Sequence, residues 1–217
     1  MKYKNIIFDF DGVLAESVHI KTQAFYSMYV RYGEEIADQV VIHHKENGGM
    51  SRYEKFPYYH KTFLDIDLSK KDVQILSADF SKLVIDSVVD ADEVSGALWF
   101  LKKYQKECNY WIASATPTDE INEIVYRRGM SEYFIKIYGS PESKSSIVKK
   151  IINKTGLIID ETVFLGDATS DYNAAMNNNI DFMLRQTDEN QSLFNKYNDI
   201  TRFDDYHEIE TSLEGIN

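Results

Sequence analysis

The segment of this 217-residue chain that is most suggestive of chemistry is Asp9-Phe10-Asp11-Gly12, which directly follows the apolar run 5–8. Residues i and i+2 of an extended chain project to the same side, so both carboxylates can face one substrate. One carboxylate could attack an electrophile while the other transfers a proton. The alternative is structural, because Asp-Gly also forms the turn that ends many strands.

A second acidic pair, Asp167 and Asp171, follows the apolar run 162–165. Ligands bind at the carboxyl ends of strands in open parallel sheets, so Asp167 would lie beside Asp9 if the two strands are neighbours. Ser170 is a candidate N-cap of the next helix, and simple helix capping is the alternative explanation for this segment. Gathered carboxylates repel one another unless a cation lies among them, and oxygen ligands without a nearby Cys favour Mg²⁺ over Zn²⁺.

Ser114 and Lys144 could bind an anion beside these acids. Ser114 follows the apolar run 110–113, and the next residues predict a helix with Thr116 as N-cap and Pro117 as its first residue. The free N–H groups of such a helix attract anions, and the Ser114 hydroxyl could donate to a phosphoryl oxygen. Lys144 stands in the first turn of a predicted helix, where the dipole disfavours a cation, which indicates an anion nearby. The alternatives are a serine bonded to backbone and an exposed lysine.

The elements that must position these residues follow a regular alternation. Amphipathic helices separate four short apolar segments, at residues 5–8, 110–113, 162–165 and 181–184. This pattern predicts an α/β fold with a Rossmann-like parallel sheet core, formed by residues 1–15 and 88–217. Residues 16–87 contain no apolar strand and predict an inserted α-helical cap subdomain, with helices over 17–32 and 70–88. We expect the last thirty residues to form a final helix and a surface tail.

Composition excludes several classes of function. The chain has 24 Lys and Arg against 35 Asp and Glu, a net charge of −11, which argues against binding to nucleic acid. No stretch approaches the roughly 18 apolar residues of a membrane span. The single Cys108 cannot form an internal disulfide, and the N-terminus lacks a secretory pattern. We therefore expect a cytoplasmic protein with no membrane partner, and no obligate protein partner is inferred.

The motifs, in this order, resemble the phosphatase branch of the haloacid dehalogenase superfamily. The family pattern is DxDGx(V/T), a Ser or Thr at a second strand end, a Lys, and an acidic GDxxxD. These are present as Asp9 and Asp11, Ser114, Lys144, and Asp167 and Asp171. The long gap after the first motif is similar to the helical cap of phosphoglucomutase-like and phosphoglycolate phosphatase-like members. No GxGxxG or GxxxxGK motif supports a nicotinamide enzyme or a nucleotide triphosphatase.

The resemblance implies a role for each motif residue. Asp9 would be the nucleophile that forms an aspartyl-phosphate, and Asp11 would protonate the leaving oxygen and later activate water. The implied cofactor is Mg²⁺, held by Asp9, Asp167 and the backbone carbonyl of Asp11, with Asp171 acting through water or by orientation. The residues that would hold the phosphoryl oxygens are Ser114 and Lys144.

The predicted cap supplies two candidate substrate residues, Arg52 and Lys21. The segment Gly48-Gly49-Met50-Ser51-Arg52 resembles the Gly-x-Ser-Arg loop of sugar-phosphate enzymes, although a flexible loop with a solvated arginine is the alternative. Sugar phosphomutases tend to carry a His where Lys21 stands and an acid where Gly166 stands, which favours a phosphatase. We expect His43-His44 to be a surface pair rather than ligands.

The function that these residues predict is a Mg²⁺-dependent phosphatase that hydrolyses a small phosphorylated metabolite through an aspartyl-phosphate intermediate. The first alternative is a sugar phosphomutase similar to β-phosphoglucomutase. A catalytically idle binding or regulatory protein that keeps the fold is a further alternative, and the intact set of four motifs argues against it.

Overall fold

The computed structural model describes residues 2–197, 199–209 and 213, and its core is a parallel β-sheet. Its strands are β1 (Asn5–Phe8), β2 (Asn109–Pro117), β3 (Lys136–Ser140), β4 (Thr162–Gly166), β5 (Asp181–Arg185) and β6 (Thr201–Phe203). The strand order is β3-β2-β1-β4-β5-β6, and every neighbouring pair is parallel. The predicted α/β fold with a Rossmann-like parallel sheet is confirmed.

Helices cover the sheet and fill the long connection after its first strand. In the described part of the chain they are α1 (Val18–Tyr29), α2 (Glu34–Glu46), α3 (Arg52–Leu64), α4 (Lys70–Asp90), α5 (Ala97–Tyr104), α6 (Thr118–Arg127), α7 (Lys144–Thr155), α8 (Thr169–Met176) and α9 (Gln191–Phe194). No helix in these residues has both the length and the apolar character to cross a membrane.

Alternating side chains of β1 explain why both faces of the sheet are covered. Ile6 and Phe8 pack in one apolar cluster with residues of α5 and α6, whereas Ile7 packs in a second cluster with residues of α7 and α8. All three side chains are fully buried, as expected for a central strand of a parallel sheet. The sheet therefore presents only its strand ends to a ligand.

The helices α1–α4, which we call the helical insertion (Val18–Asp90), lie between β1 and α5. Their aromatic side chains, including Phe25, Phe56 and Phe80, belong to the same apolar cluster as one face of the sheet. Helix α1 ends at Tyr29, and a 3₁₀ turn continues to Tyr32, the end of the predicted helix. The division of the chain into a core and a cap at residues 16 and 87 stays a prediction.

Two parts of the fold differ from the expectation. The sequence pattern indicates four strands, but β3 and β6 complete the sheet at its two edges. The expected surface tail is wrong for its described residues, because four of its apolar side chains are buried: Phe203, Tyr206, Ile209 and Leu213. Both edge strands are short and mix polar with apolar residues, so neither forms a recognisable apolar run.

Candidate active site

The first two acids of the site lie at the ends of adjacent strands. Phe8, the last residue of β1, is in register with Leu165 of β4, so Asp9 and Asp167 follow neighbouring strands. Asp9 is buried, and its Oδ1 accepts a hydrogen bond of 2.7 Å from the backbone N–H of Phe10. Gly12 has a φ of 74°, and a Cβ there would lie 2.3 Å from Oδ2 of Asp167. The glycine of the first motif therefore makes room for the acid of the last.

Asp9, Asp167 and Asp171 form a carboxylate cluster whose oxygen atoms lie within 4.8 Å of one another. Burial, together with repulsion from Asp171 and Asp11, outweighs the attraction of Lys144 and raises the pKa of Asp9 to about 7. Burial and the charges of Asp9 and Asp171 raise the pKa of Asp167 well above its ordinary value. Crowded hard oxygen donors of this kind fit a divalent cation such as Mg²⁺.

Lys144 is buried between two acids of the carboxylate cluster. Its Nζ donates to Oδ2 of Asp9 at 2.6 Å and to Oδ1 of Asp171 at 2.5 Å. Burial lowers the pKa of Lys144, but the charges of the two acids outweigh it and raise the pKa overall. The lysine thus lies beside the predicted nucleophile as a fixed cation, where a transferred phosphoryl group would arrive.

Asp171 also determines how α8 begins. Its Oδ2 accepts hydrogen bonds from the backbone N–H groups of Ala168, at 3.0 Å, and Asp167, at 3.3 Å. The prediction that Ser170 caps this helix is wrong, because the helix begins at Thr169 and the buried Ser170 hydroxyl has no hydrogen-bond partner among the residues that the structure describes. Gly166 permits the arrangement, since a Cβ there would lie 2.3 Å from the Cβ of Asp171.

Asp11 has a different environment from Asp9. Its carboxylate accepts hydrogen bonds from the hydroxyls of Ser17, at 2.6 Å, and Thr116, at 3.2 Å, and forms a short ion pair with Lys21. Burial would raise the pKa of Asp11, but Lys21 and the two hydroxyls outweigh it and lower the pKa. The two carboxylates therefore differ in environment, but a nucleophile has to be ionised, so the predicted nucleophile Asp9 needs a nearby cation to lower its pKa.

The end of β2 places Ser114 and Thr116 differently from the expectation. The Ser114 side chain is 1% exposed and its Oγ accepts from the backbone N–H of Thr116 at 3.1 Å, which is the structural alternative for this residue. Thr116 is not an N-cap, because β2 continues through Pro117 and α6 begins at Thr118. Instead, the Thr116 hydroxyl contacts Asp11 and lies 2.5 Å from Nζ of Lys21.

The model of the haloacid dehalogenase-like hydrolase family matches residues 6–184, which is most of the chain. The chain belongs to this family. The match includes every acid of the site together with Ser114 and Lys144, so the resemblance seen in the sequence is confirmed and the family identifies the chain as a hydrolase. No curated protein is similar enough to this chain to count as a match.

Several solved structures share the fold of this hydrolase along its whole length. A predicted phosphatase from Clostridium acetobutylicum has a TM-score of 0.73 and 16% identity, covering 100% of this chain and 99% of its own. A predicted phosphoglycolate phosphatase from Haemophilus somnus has a TM-score of 0.72 and 16% identity, covering 96% and 97%. A mutant of CbbY from Rhodobacter sphaeroides, in complex with xylulose-(1,5)bisphosphate, has a TM-score of 0.73 and 14% identity, covering 96% of each chain. At these identities the likeness is one of fold.

A cavity of about 220 Å³ opens beside the strand ends of the hydrolase. Asp9, Asp11 and Asp167 line it from the sheet, and residues of the helical insertion line it from the other side. The lining residues contributed by the insertion include one acid, Glu46, and six basic side chains: His19, Lys21, His44, Lys45, Arg52 and Lys55. The cavity is therefore acidic on the sheet side and mostly basic on the insertion side.

Arg52 lines the cavity but is paired within the protein rather than solvated. It is the first residue of α3 and is 4% exposed, and it forms a bidentate pair with Glu120 of α6 at 2.7 and 2.8 Å. A third bond, at 2.9 Å, reaches the Ser81 hydroxyl of α4. Arg52 thus connects two helices of the insertion to one helix that covers the sheet. The solvated alternative is wrong for it, and its role toward a substrate stays a prediction.

Three residues near the cavity are absent from the sequence-based candidates. His44 is 5% exposed, so the expected surface position is wrong for it, and its Nδ1 lies 2.7 Å from Nζ of Lys55. Asn190 donates to the backbone carbonyls of Asp167 and Arg185, each at 2.9 Å, and so fixes the loop that carries Asp167. Lys55 follows Arg52 by three residues, and residues with this spacing lie on the same face of a helix. The spacing could therefore have indicated that Lys55 lies near Arg52.

Proposed function

We propose that this hydrolase is a phosphatase that uses Mg²⁺ to hydrolyse a phosphoric monoester of a small metabolite through an aspartyl-phosphate. The observation that supports this most is the pair Asp9 and Asp11, which are two residues apart but differ in environment. Asp9 faces Lys144 and the carboxylate cluster, whereas Asp11 faces Lys21 and two hydroxyls. One carboxylate is placed to act as a nucleophile and the other to carry a proton.

In the first step, a carboxylate oxygen of Asp9 forms a bond to phosphorus while the bond from phosphorus to the ester oxygen breaks. Asp11 transfers a proton to that leaving oxygen, so an alcohol departs. Lys144, already within 2.6 Å of Asp9, offsets negative charge on the phosphoryl oxygens. The buried position of Asp9 excludes bulk water from the nucleophile.

In the second step, a water oxygen bonds to phosphorus while the bond between phosphorus and the Asp9 oxygen breaks. Asp11 accepts the proton from that water and is ready for the next cycle. The ion pair with Lys21 suits this step, because it keeps Asp11 ionised. For the first step, in which Asp11 must carry a proton, the contact with Lys21 has to weaken.

The carboxylates Asp9, Asp167 and Asp171 would hold Mg²⁺, together with the backbone carbonyl of Asp11 that the family resemblance implies. When bound, the ion supplies positive charge that relieves the repulsion among the acids and polarises the phosphoryl group. The role of Ser114 toward a phosphoryl oxygen stays a prediction, and it is compatible with the hydrogen bond that the Ser114 hydroxyl accepts from Thr116, because the hydroxyl can still donate its own proton.

Two features support hydrolysis over transfer to a bound sugar. The basic residue beside Asp11 is Lys21, whose ion pair lowers the pKa of Asp11 and so favours the ionised, water-activating form of this acid. Gly166 has no side chain, and Asp171 occupies the space that an acid at position 166 would need. We therefore place the phosphomutase second and the idle binding protein last.

The deciding experiment measures phosphate released from p-nitrophenyl phosphate with Mg²⁺ and with EDTA, and then from a panel of phosphorylated sugars, nucleotides and organic acids. We expect turnover that depends on Mg²⁺ and a much larger kcat/KM for one class in the panel. The exposed-acid variant Asp160→Asn serves as a matched control and should behave like the parent. A folded protein that releases no phosphate from any ester would contradict the proposal, and isomerised sugar phosphate without release would favour the mutase.

A further inference from the structure

Lys55 differs from the other buried basic side chains of the hydrolase. Among the described residues, the Lys and Arg side chains that are buried are Arg52, Lys55 and Lys144. Arg52 pairs with Glu120, and Lys144 pairs with two aspartates. Lys55 has no carboxylate partner in the described part of the chain, although lysine is almost never buried in proteins unless it is paired.

The surroundings of Lys55 stabilise an ammonium only weakly. The residue is 1% exposed, its Nζ lies 2.7 Å from Nδ1 of His44, and the ring of Phe25 lies 5.5 Å away. Burial and repulsion from Lys21 and Lys144 lower the pKa of Lys55 well below its ordinary value. A buried cation without a counter-charge costs several kcal/mol, and an apolar side chain of similar size would fill the same space at lower cost.

The position of Lys55 suggests what offsets this cost. Lys55 and His44 line the same cavity as Asp9 and Asp167, so a molecule bound at the strand ends can extend to them. The phosphoryl group itself would lie beside Asp9, where Lys144 already supplies a cation. The anion that Lys55 can bind is therefore a different group of the same molecule.

We propose that Lys55 and His44 form a subsite for a second anionic group of the substrate, a carboxylate or a second phosphate. The inference rests on the proposed phosphatase function and narrows its substrate class to doubly anionic phosphate esters. Nζ of Lys55 would donate to an oxygen of the second anion, and the imidazole of His44 would hold Nζ in place. The acidic cluster would meanwhile receive the phosphoryl group at the other side of the cavity.

The first test uses the unaltered protein and pairs of esters that differ by one anionic group. The carboxylate pair is 3-phosphoglycerate against glycerol 3-phosphate, and the phosphate pair is fructose 1,6-bisphosphate against fructose 6-phosphate. We expect kcat/KM to be at least tenfold larger for the doubly anionic member of one pair, and the pair that responds identifies the anion. Equal or smaller values for the doubly anionic members of both pairs would overturn the proposal.

The second test replaces the cation. Lys55→Met should lower kcat/KM for the preferred doubly anionic ester at least tenfold more than for p-nitrophenyl phosphate, whereas the thermal midpoint should stay the same or rise. Lys61→Met is the matched control, because Lys61 is on the same helix with a side chain that is 55% exposed, and both substrates should respond alike. Equal losses on the two substrates with Lys55→Met would assign Lys55 a structural role and refute the subsite.

Two further measurements separate the possible failures. If Lys55→Met does not fold, Lys55→Gln, which can still bond to His44, replaces it, and the comparison of ester pairs stands without either variant. If the unaltered protein hydrolyses no ester, the proposed function fails, and calorimetric binding of 3-phosphoglycerate and fructose 1,6-bisphosphate decides the subsite alone. Binding that Lys55→Gln does not weaken would then overturn it.

Discussion

Replacing Asp9 by Asn should abolish activity and yet make the metal-free protein more stable. The substitution keeps the shape of the side chain, and its amide oxygen can still accept the hydrogen bond from the N–H of Phe10. It removes the nucleophile and one acid of the carboxylate cluster. Water cannot restore the reaction in the same way, because the lost group also serves the metal site.

The gain in stability follows from the pKa of Asp9. Burial and neighbouring acids raise this pKa from 3.8 to about 7 in the folded protein. The folded protein therefore holds a proton that the unfolded chain releases, and stability falls as pH rises from about 4 to about 7. At 1.36 kcal/mol per pKa unit, this difference in pKa lowers the free energy of unfolding by about 4 kcal/mol at pH 8 and by about 2 kcal/mol at pH 5, compared with acid pH.

Asn carries no charge, so Asp9→Asn should recover part of this free energy. The recovery is smaller than the full cost because Lys144 keeps only Asp171 as its carboxylate partner. At 2–4 °C per kcal/mol for a chain of this size, a recovery of about 2 kcal/mol at pH 8 raises the midpoint by about 4–8 °C. The gain should be smaller at pH 5.

The assay is thermal unfolding followed by circular dichroism, in EDTA at pH 5 and pH 8, with phosphate release measured separately in Mg²⁺. Asp160→Asn, an exposed acid, is the control and should melt like the parent at both pH values. A variant that melts below the parent at pH 8, or gains as much at pH 5, would refute the electrostatic reasoning. Near-normal turnover by the folded variant would refute the mechanism.

Four further variants test the rest of the site. Asp167→Ala should remove most of the activation by Mg²⁺ without lowering the midpoint in EDTA. Asp171→Ala should weaken the activation by Mg²⁺ less, but it should lower the free energy of unfolding by about 1–3 kcal/mol, because the backbone N–H groups of Ala168 and Asp167 lose their acceptor while Lys144 keeps Asp9; equal Mg²⁺ responses would contradict this ranking. Lys21→Met should raise the pKa of Asp11, so the limb of the profile of kcat/KM against pH that belongs to this acid moves to higher pH, and an unmoved limb would contradict the assignment. Arg52→Ala should lower the free energy of unfolding by about 3–5 kcal/mol, since its carboxylate partner stays buried and unpaired, and a midpoint equal to that of the parent would show that this pair is not stabilising.

The acids of the site could be predicted from sequence because each is local to a strand end. An apolar run followed by Asp9 or Asp167 defines both the strand and the acid, and a parallel sheet brings the carboxyl ends of its strands to one edge. The family match then confirmed the hydrolase fold. Lys144 could be predicted because a lysine in the first turn of a helix is unfavourable, and this position therefore indicates an anion nearby.

The partners across the cavity could not be predicted, because they depend on how the helical insertion packs. Arg52 and Glu120 are 68 residues apart, and no local pattern indicates that they meet. His44 and Lys55 belong to different helices, so the pair exists only after α2 and α3 have packed together. Sequence spacing identifies the faces of one helix but does not say which helix covers them.

The acidic and basic residues around the cavity come from two different parts of the fold. In the proposed mechanism the sheet contributes the acids that would hold a cation and form the bond to phosphorus, and the insertion contributes Lys21 and Lys55 to a protein that is acidic overall. The basic residues of the insertion would attract an anionic substrate without forming a covalent bond to it. Changing Lys55 should therefore alter which ester is hydrolysed more than it alters the chemical step, because its polar contact is with His44 rather than with Asp9 or Asp11. Changing Lys21 should also alter the chemical step, because Lys21 pairs with Asp11.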